Sequence, residues 1–250
     1  MKPGRARIDQ LLVERGLAES REKAQALLLA GSVFVNRQRV DKPGAQVPLD
    51  AGIEVAESLP YVSRGGLKLA HALDHFHIDV AGRVCVDIGS STGGFTDCLL
   101  QRGAARVHCV DVGRGQLHYR LRNDSRCVLH EGVNARFLEF AQIGEKCALA
   151  VCDVSFISVT LILPVVPALL DEAGVLVTLV KPQFEVGRDQ VGKGGIVRDP
   201  ELHEAACAKV RASAEALGFV CELTASPILG AEGNREFLLY GRHSHSRSDR

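Results

Sequence analysis

The 250-residue sequence predicts an α/β fold, a largely parallel seven-stranded sheet whose last strand is antiparallel, preceded by a small α+β module. Three observations carry this expectation. From Arg64 onward, short apolar runs alternate with helix-like stretches, the pattern of strands covered on both faces by helices. The last two runs are separated only by "LGAEGNR", a hairpin-length connection, so the final strand should run against its neighbour. Residues 5 to 57 have a shorter texture of their own, and 250 residues suffice for a full domain plus such a companion.

Taken in order, "RIDQLLVERG" sets Ile8, Leu11, Leu12 and Arg15 at helical spacing and stops at Gly16. Ser20 is placed to cap a second helix, "REKAQALLLAG", closed by Gly31. "VFVNRQRV" alternates like a half-buried strand with a turn at Asn36-Arg37, "DKPGAQV" holds a Pro-Gly turn, and "DAGIEVAE" supplies a last strand. So small a core marks a satellite module. A linker is expected at 58–63, followed by the large domain at 64–242. There a helix, "GGLKLAHALDHFH", leads into the strands "RVCVDIG", "RVHCVDVG", "CVLHEG", "ALAVCDV", "GVLVTLV", "FVCELTASPI" and "EFLLYG". The polar tail, 243–250, lacks apolar periodicity and is expected to be disordered.

Composition narrows the class. Hydrophobic residues make up 46% and charged residues 24%, and Lys+Arg and Asp+Glu are both 30, so net charge points to no partner. The distribution does, since nine basic residues face five acidic ones up to Lys42, a modest basic patch. The eight cysteines are scattered without a C-x-x-C pair and read as reduced thiols. The N-terminus has charge but no apolar signal core, and "ISVTLILPVVPALL" is too short and proline-broken to span a bilayer. A soluble cytoplasmic protein with no membrane association and no stable protein partner is expected.

The stretch "VCVDIGSSTGGFTDCLL" is a strand, a glycine-bearing turn and a helix. Glycines there let a ligand approach the backbone at a helix N-terminus. The spacing is G-x-x-x-G-G at Gly89, Gly93 and Gly94, and not the dinucleotide G-x-G-x-x-G. Asp87 precedes the loop, and Asp111 ends the next strand, where an acid can grip ribose hydroxyls. This set favours S-adenosylmethionine over NAD, because that cofactor has no pyrophosphate to hold.

These residues also carry a resemblance. "VDIGSSTGGFTDCLLQRGAARVHCVDVG" resembles the cofactor segment of FtsJ-like ribose methyltransferases, with their Rossmann-like class I sheet. With "SRGGLKL" before it and "EGVNAR", "DVSF" and "VKPQFEVG" after it, the chain from Arg5 to about Tyr240 resembles the TlyA (haemolysin A-like) family. That family joins an S4-like RNA-binding domain to the methyltransferase and 2'-O-methylates cytidine riboses of ribosomal RNA, in the large subunit and in some members the small one. The resemblance implies cofactor contacts from Asp87, Gly89, Ser91, Gly93, Gly94, Phe95, Asp111, Val112 and Asn134. At Asn134 such enzymes often carry an aspartate for the adenine, and asparagine keeps a carbonyl acceptor without the charge. Phe95 could equally be a core residue.

FtsJ-like enzymes use a lysine, aspartate, lysine, glutamate set, whose matching positions here are Lys68, Asp153, Lys181 and Glu236. In a doubly wound sheet Asp153 and Lys181 end neighbouring strands, Glu236 opens the antiparallel one, and Lys68 can lean over the same rim. A ribose hydroxyl is a poor nucleophile until its proton is taken. Lysine is protonated near neutrality, so a base lysine needs desolvation and neighbouring positive charge, which Lys68 is expected to supply to Lys181. Asp153-Val154-Ser155-Phe156 lacks the paired prolines of amino-group methyltransferases, and no Pro-Cys exists for cytosine C5 chemistry. Oxygen is the expected acceptor.

Phosphate contacts are expected from Arg5, Arg7, Arg21, Lys23, Arg37, Lys42 and Arg64, for any of which a solvated surface role is as open. His71, His75 and His77 lack further ligands at a persuasive spacing, and no metal is expected. Two other readings stay open, a non-catalytic RNA-binding or assembly factor and a cytolysin. The intact charged set weighs against the first. The absence of a membrane-active segment weighs against the second.

Overall fold

The computed structural model of the protein describes residues 4–29, 31–55 and 59–243. The end of the expected small domain and first residue of the linker, 56–58, and the polar tail from 244 to 250 lie outside the described residues. The chain divides into two units, Met1–Leu59 and Pro60–Arg250.

The first unit runs β1 (Arg5–Arg7), α1 (Ile8–Glu14), α2 (Arg21–Leu29), β2 (Val33–Val35), β3 (Gln38–Arg39), β4 (Gln46–Pro48) and β5 (Ile53–Val55). β1 pairs antiparallel with β4, and β3-β2-β5 form a three-stranded antiparallel sheet. The helical spacing is realised as expected, since Ile8, Leu11, Leu12, Ala24 and Leu28 are buried together with Val33, Val35 and Val47. The Ser20 hydroxyl accepts from Lys23 N, capping α2. Asn36 and Arg37 both take positive φ, 48° and 67°, the turn that matches the twist of a tight hairpin. Asp9, in the first turn of α1, is fully buried among two arginines and a glutamine.

The second unit begins with α3 (Gly65–His75) and then alternates. β6 (Val84–Ile88), α4 (Gly94–Gln101), β7 (Arg106–Asp111), α5 (Tyr119–Arg122), β8 (Cys127–Glu131), α6 (Phe140–Ile143), β9 (Cys147–Cys152) and α7 (Val166–Leu169) follow. They are succeeded by β10 (Leu170–Val180), α8 (Pro182–Glu185), α9 (Pro200–Glu215), β11 (Phe219–Ala225) and β12 (Phe237–His243). All seven strands join one sheet in the order β11-β12-β10-β9-β6-β7-β8. β10, β9, β6, β7 and β8 are parallel, and β12 is antiparallel to both its neighbours. Alternate residues of the central strands bury opposite faces. Leu149, Val151, Val177 and Leu179 pack with Leu69, Leu73 and Leu99 of α3 and α4 on one side. Ala150, Cys152, Leu176 and Val180 pack with Leu163, Leu169 and Val210 on the other. Burial on both faces is why these strands read as continuous apolar runs.

This topology sets the crevice. The parallel strands present their carboxyl ends, the residues after Ile88, Val110, Cys152 and Val180, to one rim. Because β12 is antiparallel, its first residue meets the last of β10, with Phe237 opposite Val180. Glu236 and Lys181 therefore flank the same rim. The eight cysteines are free thiols, with Cys85, Cys98, Cys109, Cys147 and Cys152 buried. Among the described residues no helix is long and apolar enough to cross a membrane.

Candidate active site

Two cavities open side by side at the carboxyl rim. The larger, about 530 Å³, is lined by Gly89, Ser91, Asp111, Val112, Asn134 and Phe156, with apolar walls from Val110, Val133, Ile157 and Ile162. The smaller, about 270 Å³, is lined by Ser63, Arg64, Lys68, Phe95, Lys181 and Gly230. Gly89, Ser91, Asp153 and Ser155 belong to both, so one chamber leads into the other.

Gly89 makes that junction possible. Its φ is +87°, and a Cβ there would come 2.5 Å from the Asp153 carbonyl oxygen, so the first βα turn can cross the end of β9 only as glycine. Asp111 turns both oxygens back on the loops, accepting from Ser91 N at 2.8 Å and Gly113 N at 2.7 Å. Each oxygen keeps a lone pair for a ligand hydroxyl. Asn134 lines the larger cavity, and its side-chain carbonyl oxygen accepts from Arg136 N at 3.1 Å. Phe95 is a buried core residue that also lines the smaller cavity.

Asp87 and Gly93 line neither cavity. Gly93 takes φ +96° where α4 begins. Asp87 lies beneath the glycine loop, fully buried, with Oδ2 accepting from Thr96 N at 3.0 Å and Thr96 Oγ1 at 2.7 Å. Its Oδ1 has no partner among the described residues. Burial pushes this carboxyl up to about 7, helped by the charges of Asp153 and Asp111 and opposed by the Thr96 hydrogen bonds.

The four charged residues meet as two ion pairs. Lys68 Nζ lies 2.5 Å from Glu236 Oε2, with side chains 10% and 1% exposed. Lys181 Nζ lies 2.5 Å from Asp153 Oδ1 and donates to Ser155 Oγ at 2.9 Å. The sequence leads one to expect the two lysines near one another with the two carboxylates orienting them, and in the structure each lysine pairs with a carboxylate while both line the smaller cavity. Gly230 lets Glu236 reach Lys68, because any Cβ there would collide with the Glu236 carboxylate. Among the described residues no group of three or more His, Cys, Asp or Glu side chains is placed to hold a metal ion.

Several residues of this rim were not singled out from sequence. Ser155 and Phe156 stand in the quoted "DVSF", yet neither the hydroxyl's bond to Lys181 nor the ring's placement was foreseen. Phe156 has φ +65° and is 92% exposed, with its ring 5.5 Å from that of Phe184. A bulky residue held in the left-handed region with its ring in solvent is a strained, unsatisfied arrangement. Arg64, expected on RNA, lines the same cavity as Lys68. In the first unit Arg37 and Lys42 are exposed, Arg5 donates to Gln46 O, and Lys23 pairs with Glu19. Arg7 and Arg21 both bond Asp9, a structural duty not anticipated for residues expected to face phosphate.

Comparison with known proteins agrees with this geometry. The model of the FtsJ-like methyltransferase family matches residues 61–243, and that of the S4 domain matches residues 6–53. The chain belongs to the FtsJ-like methyltransferases. Within them it is 45% identical over 247 residues to the "16S/23S rRNA (cytidine-2'-O)-methyltransferase TlyA" of Mycobacterium tuberculosis, covering 98% of this chain and 92% of that one. It is 44% identical over 236 residues to "Hemolysin A" of Brachyspira hyodysenteriae, covering 94% and 98%. Among solved structures, the "Putative hemolysin" of Streptococcus thermophilus superposes with a TM-score of 0.75 at 44% identity, over 98% of this chain and 90% of that one. The chain is thus a TlyA-family protein, an FtsJ-like methyltransferase with an S4 domain ahead of it.

Proposed function

We propose that this protein transfers a methyl group from S-adenosylmethionine to the 2'-hydroxyl of a cytidine ribose in ribosomal RNA, with Lys181 as the base. The carrying observation is the meeting of Lys68, Asp153, Lys181 and Glu236 beside a cavity suited to an adenosine. A carboxylate with free lone pairs at Asp111, an amide carbonyl at Asn134 and walls of valine and isoleucine match ribose hydroxyls, an adenine amino group and its ring. S-adenosylmethionine supplies an electrophilic methyl group when bound there. Gly89 and Asp153 line both cavities, so the residues that would hold the cofactor adjoin the lysines.

The protein's own part is to place the hydroxyl and remove its proton. In its neutral form the Lys181 amine takes the hydroxyl proton and becomes the ammonium that Asp153 and Ser155 hold. Lys68, fixed by Glu236, stands where negative charge develops on that oxygen. Phe156 offers an exposed ring at the cavity mouth on which the target base can stack, a contact worth about 1–3 kcal/mol per base. The S4 domain, residues 5–57 joined through 58–63 to 64–242, contributes phosphate contacts, with the exposed Arg37 and Lys42 among its candidates. Ribosomal subunits in the cytoplasm are the substrate.

Purified protein with methyl-labelled cofactor should label ribosomal subunits at a cytidine ribose, which mapping of the labelled nucleotide checks. Lys181→Met should lower turnover by roughly 10²–10⁴-fold with cofactor and RNA binding retained. Near-normal turnover would remove Lys181 from the role of base.

A further inference from the structure

The hydrogen-bonded ladder between β9 and β10 ends at Cys152–Thr178, before the chain reaches either Asp153 or Lys181. Beyond that point the two loops that carry these residues run side by side, joined by side chains. Three joins follow in order. Lys181 holds Asp153 and Ser155, the Phe184 ring lies 5.5 Å from the Phe156 ring, and Glu185 reaches Ser158 and Val159.

The last join is the firmest. Glu185 is only 6% exposed, and its two oxygens divide their work. Oε1 accepts from Val159 N at 2.8 Å, and Oε2 accepts from Ser158 Oγ at 2.5 Å. From outside, Lys209 of α9 lies 3.2 Å from Oε2 and donates to the Glu185 carbonyl oxygen at 2.7 Å. The short α8 is closed by Phe184 N to Lys181 O and Val186 N to Pro182 O, so Glu185 sits one rigid turn from Lys181. A buried carboxylate with every contact made is costly to disturb, because its donors would be left unpaired. Anchoring α8 to the core needs no such group, since Pro182 is already buried. What the carboxylate adds is a link to the opposite loop.

We propose that Glu185 is a positioning residue, a clasp that fixes the Asp153 loop against the Lys181 loop and so sets the geometry of both the ion pair and the Phe156–Phe184 pair. This rests on the reading of Lys181 and Asp153 as reacting-site residues. Glu185 touches no substrate. It acts by holding two loops whose relative displacement by about 1 Å can cost roughly 10²-fold in rate.

The test uses the full-length protein, labelled S-adenosylmethionine and ribosomal subunits, with kcat, KM for subunits and thermal midpoint recorded for each variant. Glu185→Ala should lower kcat by roughly 10–100-fold. Glu185→Gln keeps an acceptor for Val159 N and a hydrogen bond to Ser158, and should restore kcat to within a few-fold of wild type. Lys209→Met removes the outer tie but leaves the loop-to-loop bridge, and should lower the thermal midpoint with kcat nearly unchanged. Ser158→Ala breaks half of the clasp from the other loop, tests it even if Glu185→Ala does not fold, and should give an intermediate loss of kcat. A Glu185→Ala enzyme with normal kcat, a Glu185→Gln enzyme as slow as Glu185→Ala, a Lys209→Met enzyme equally slow, or a Ser158→Ala enzyme at full rate would each overturn the proposal. Lys181→Met separates the two readings. Full turnover in that variant removes the base assignment, whereas an inactive Lys181→Met beside a fully active Glu185→Ala removes only the clasp.

Discussion

Asp9 in the S4 domain and Asp87 in the methyltransferase are both carboxyls without solvent exposure, and the fold treats them in opposite ways. Asp9 receives Arg7 at 3.0 and 2.9 Å, Arg21 at 3.0 Å and Gln25 at 3.2 Å. The Arg7 guanidinium, aided by Arg21 and Gln25, holds it well below the usual carboxylate range against the opposing cost of burial. Among the described residues Asp87 bonds Thr96 and pairs with no cation, and one of its oxygens has no partner. Burial dominates there and raises it to about 7. A buried carboxylate with all its partners ties a small domain together. One left incompletely satisfied beneath a glycine loop stores a cost that a cofactor site can use.

The comparison is broken or sharpened most strongly by Asp87→Ala. Removing the carboxylate strands the Thr96 donors under the loop, and equilibrium dialysis should show S-adenosylmethionine affinity falling roughly 10–100-fold, or about 1.4–2.7 kcal/mol. Unchanged affinity would make Asp87 merely structural, like Asp9. Asp9→Ala should destabilise the S4 domain by about 1–2 kcal/mol in a denaturant titration, with cofactor affinity within twofold of wild type. A loss of cofactor affinity there would erase the contrast.

The two residues should also separate by pH. Asp9, depressed on folding, contributes stability that is present above its unfolded value of about 4 and lost as pH falls. Asp87, raised on folding, does the reverse, costing stability progressively as pH rises from about 4 to about 7. The thermal midpoint of Asp87→Asn relative to wild type should therefore climb between pH 5 and 8, while that of Asp9→Asn stays level over that range. The smallest effect is expected at Asp74, whose pair with Arg102 is solvent-exposed, with side chains 63% and 38% accessible. Asp74→Ala should change stability by less than about 0.5 kcal/mol, which sets the background for the others.

Much of this molecule was legible in advance where the signal is local. Apolar runs of strand length named all seven strands, and the short "LGAEGNR" connection made the last one antiparallel. The spacing of Gly89, Gly93 and Gly94, with Asp111 ending the next strand, marked a turn at the carboxyl rim, where Gly89 and Asp111 line the larger cavity. The burial of Asp9 is not legible in the sequence, because an acid in the first turn of an amphipathic helix looks like a solvated face until Arg21, on the next helix, closes over it. The role of Glu185 is not legible either. Its partners Ser158 and Lys209 lie 27 and 24 residues away and have no periodic relation to it.

The sequence by itself determined the order of elements, the faces they bury and the residue types at each strand end, because hydrophobic period and turn chemistry are properties of neighbours along the chain. Tertiary structure decided how the charges gathered at that rim pair. Lys68 and Glu236 are 168 positions apart and pair because antiparallel β12 begins where parallel β10 ends. Lys181 faces Asp153 because their strands are adjacent, and it is held at that distance by side chains of two loops that no ladder joins. Protonation and positioning depend on such through-space neighbours and on burial, and neither quantity exists until the sheet has closed.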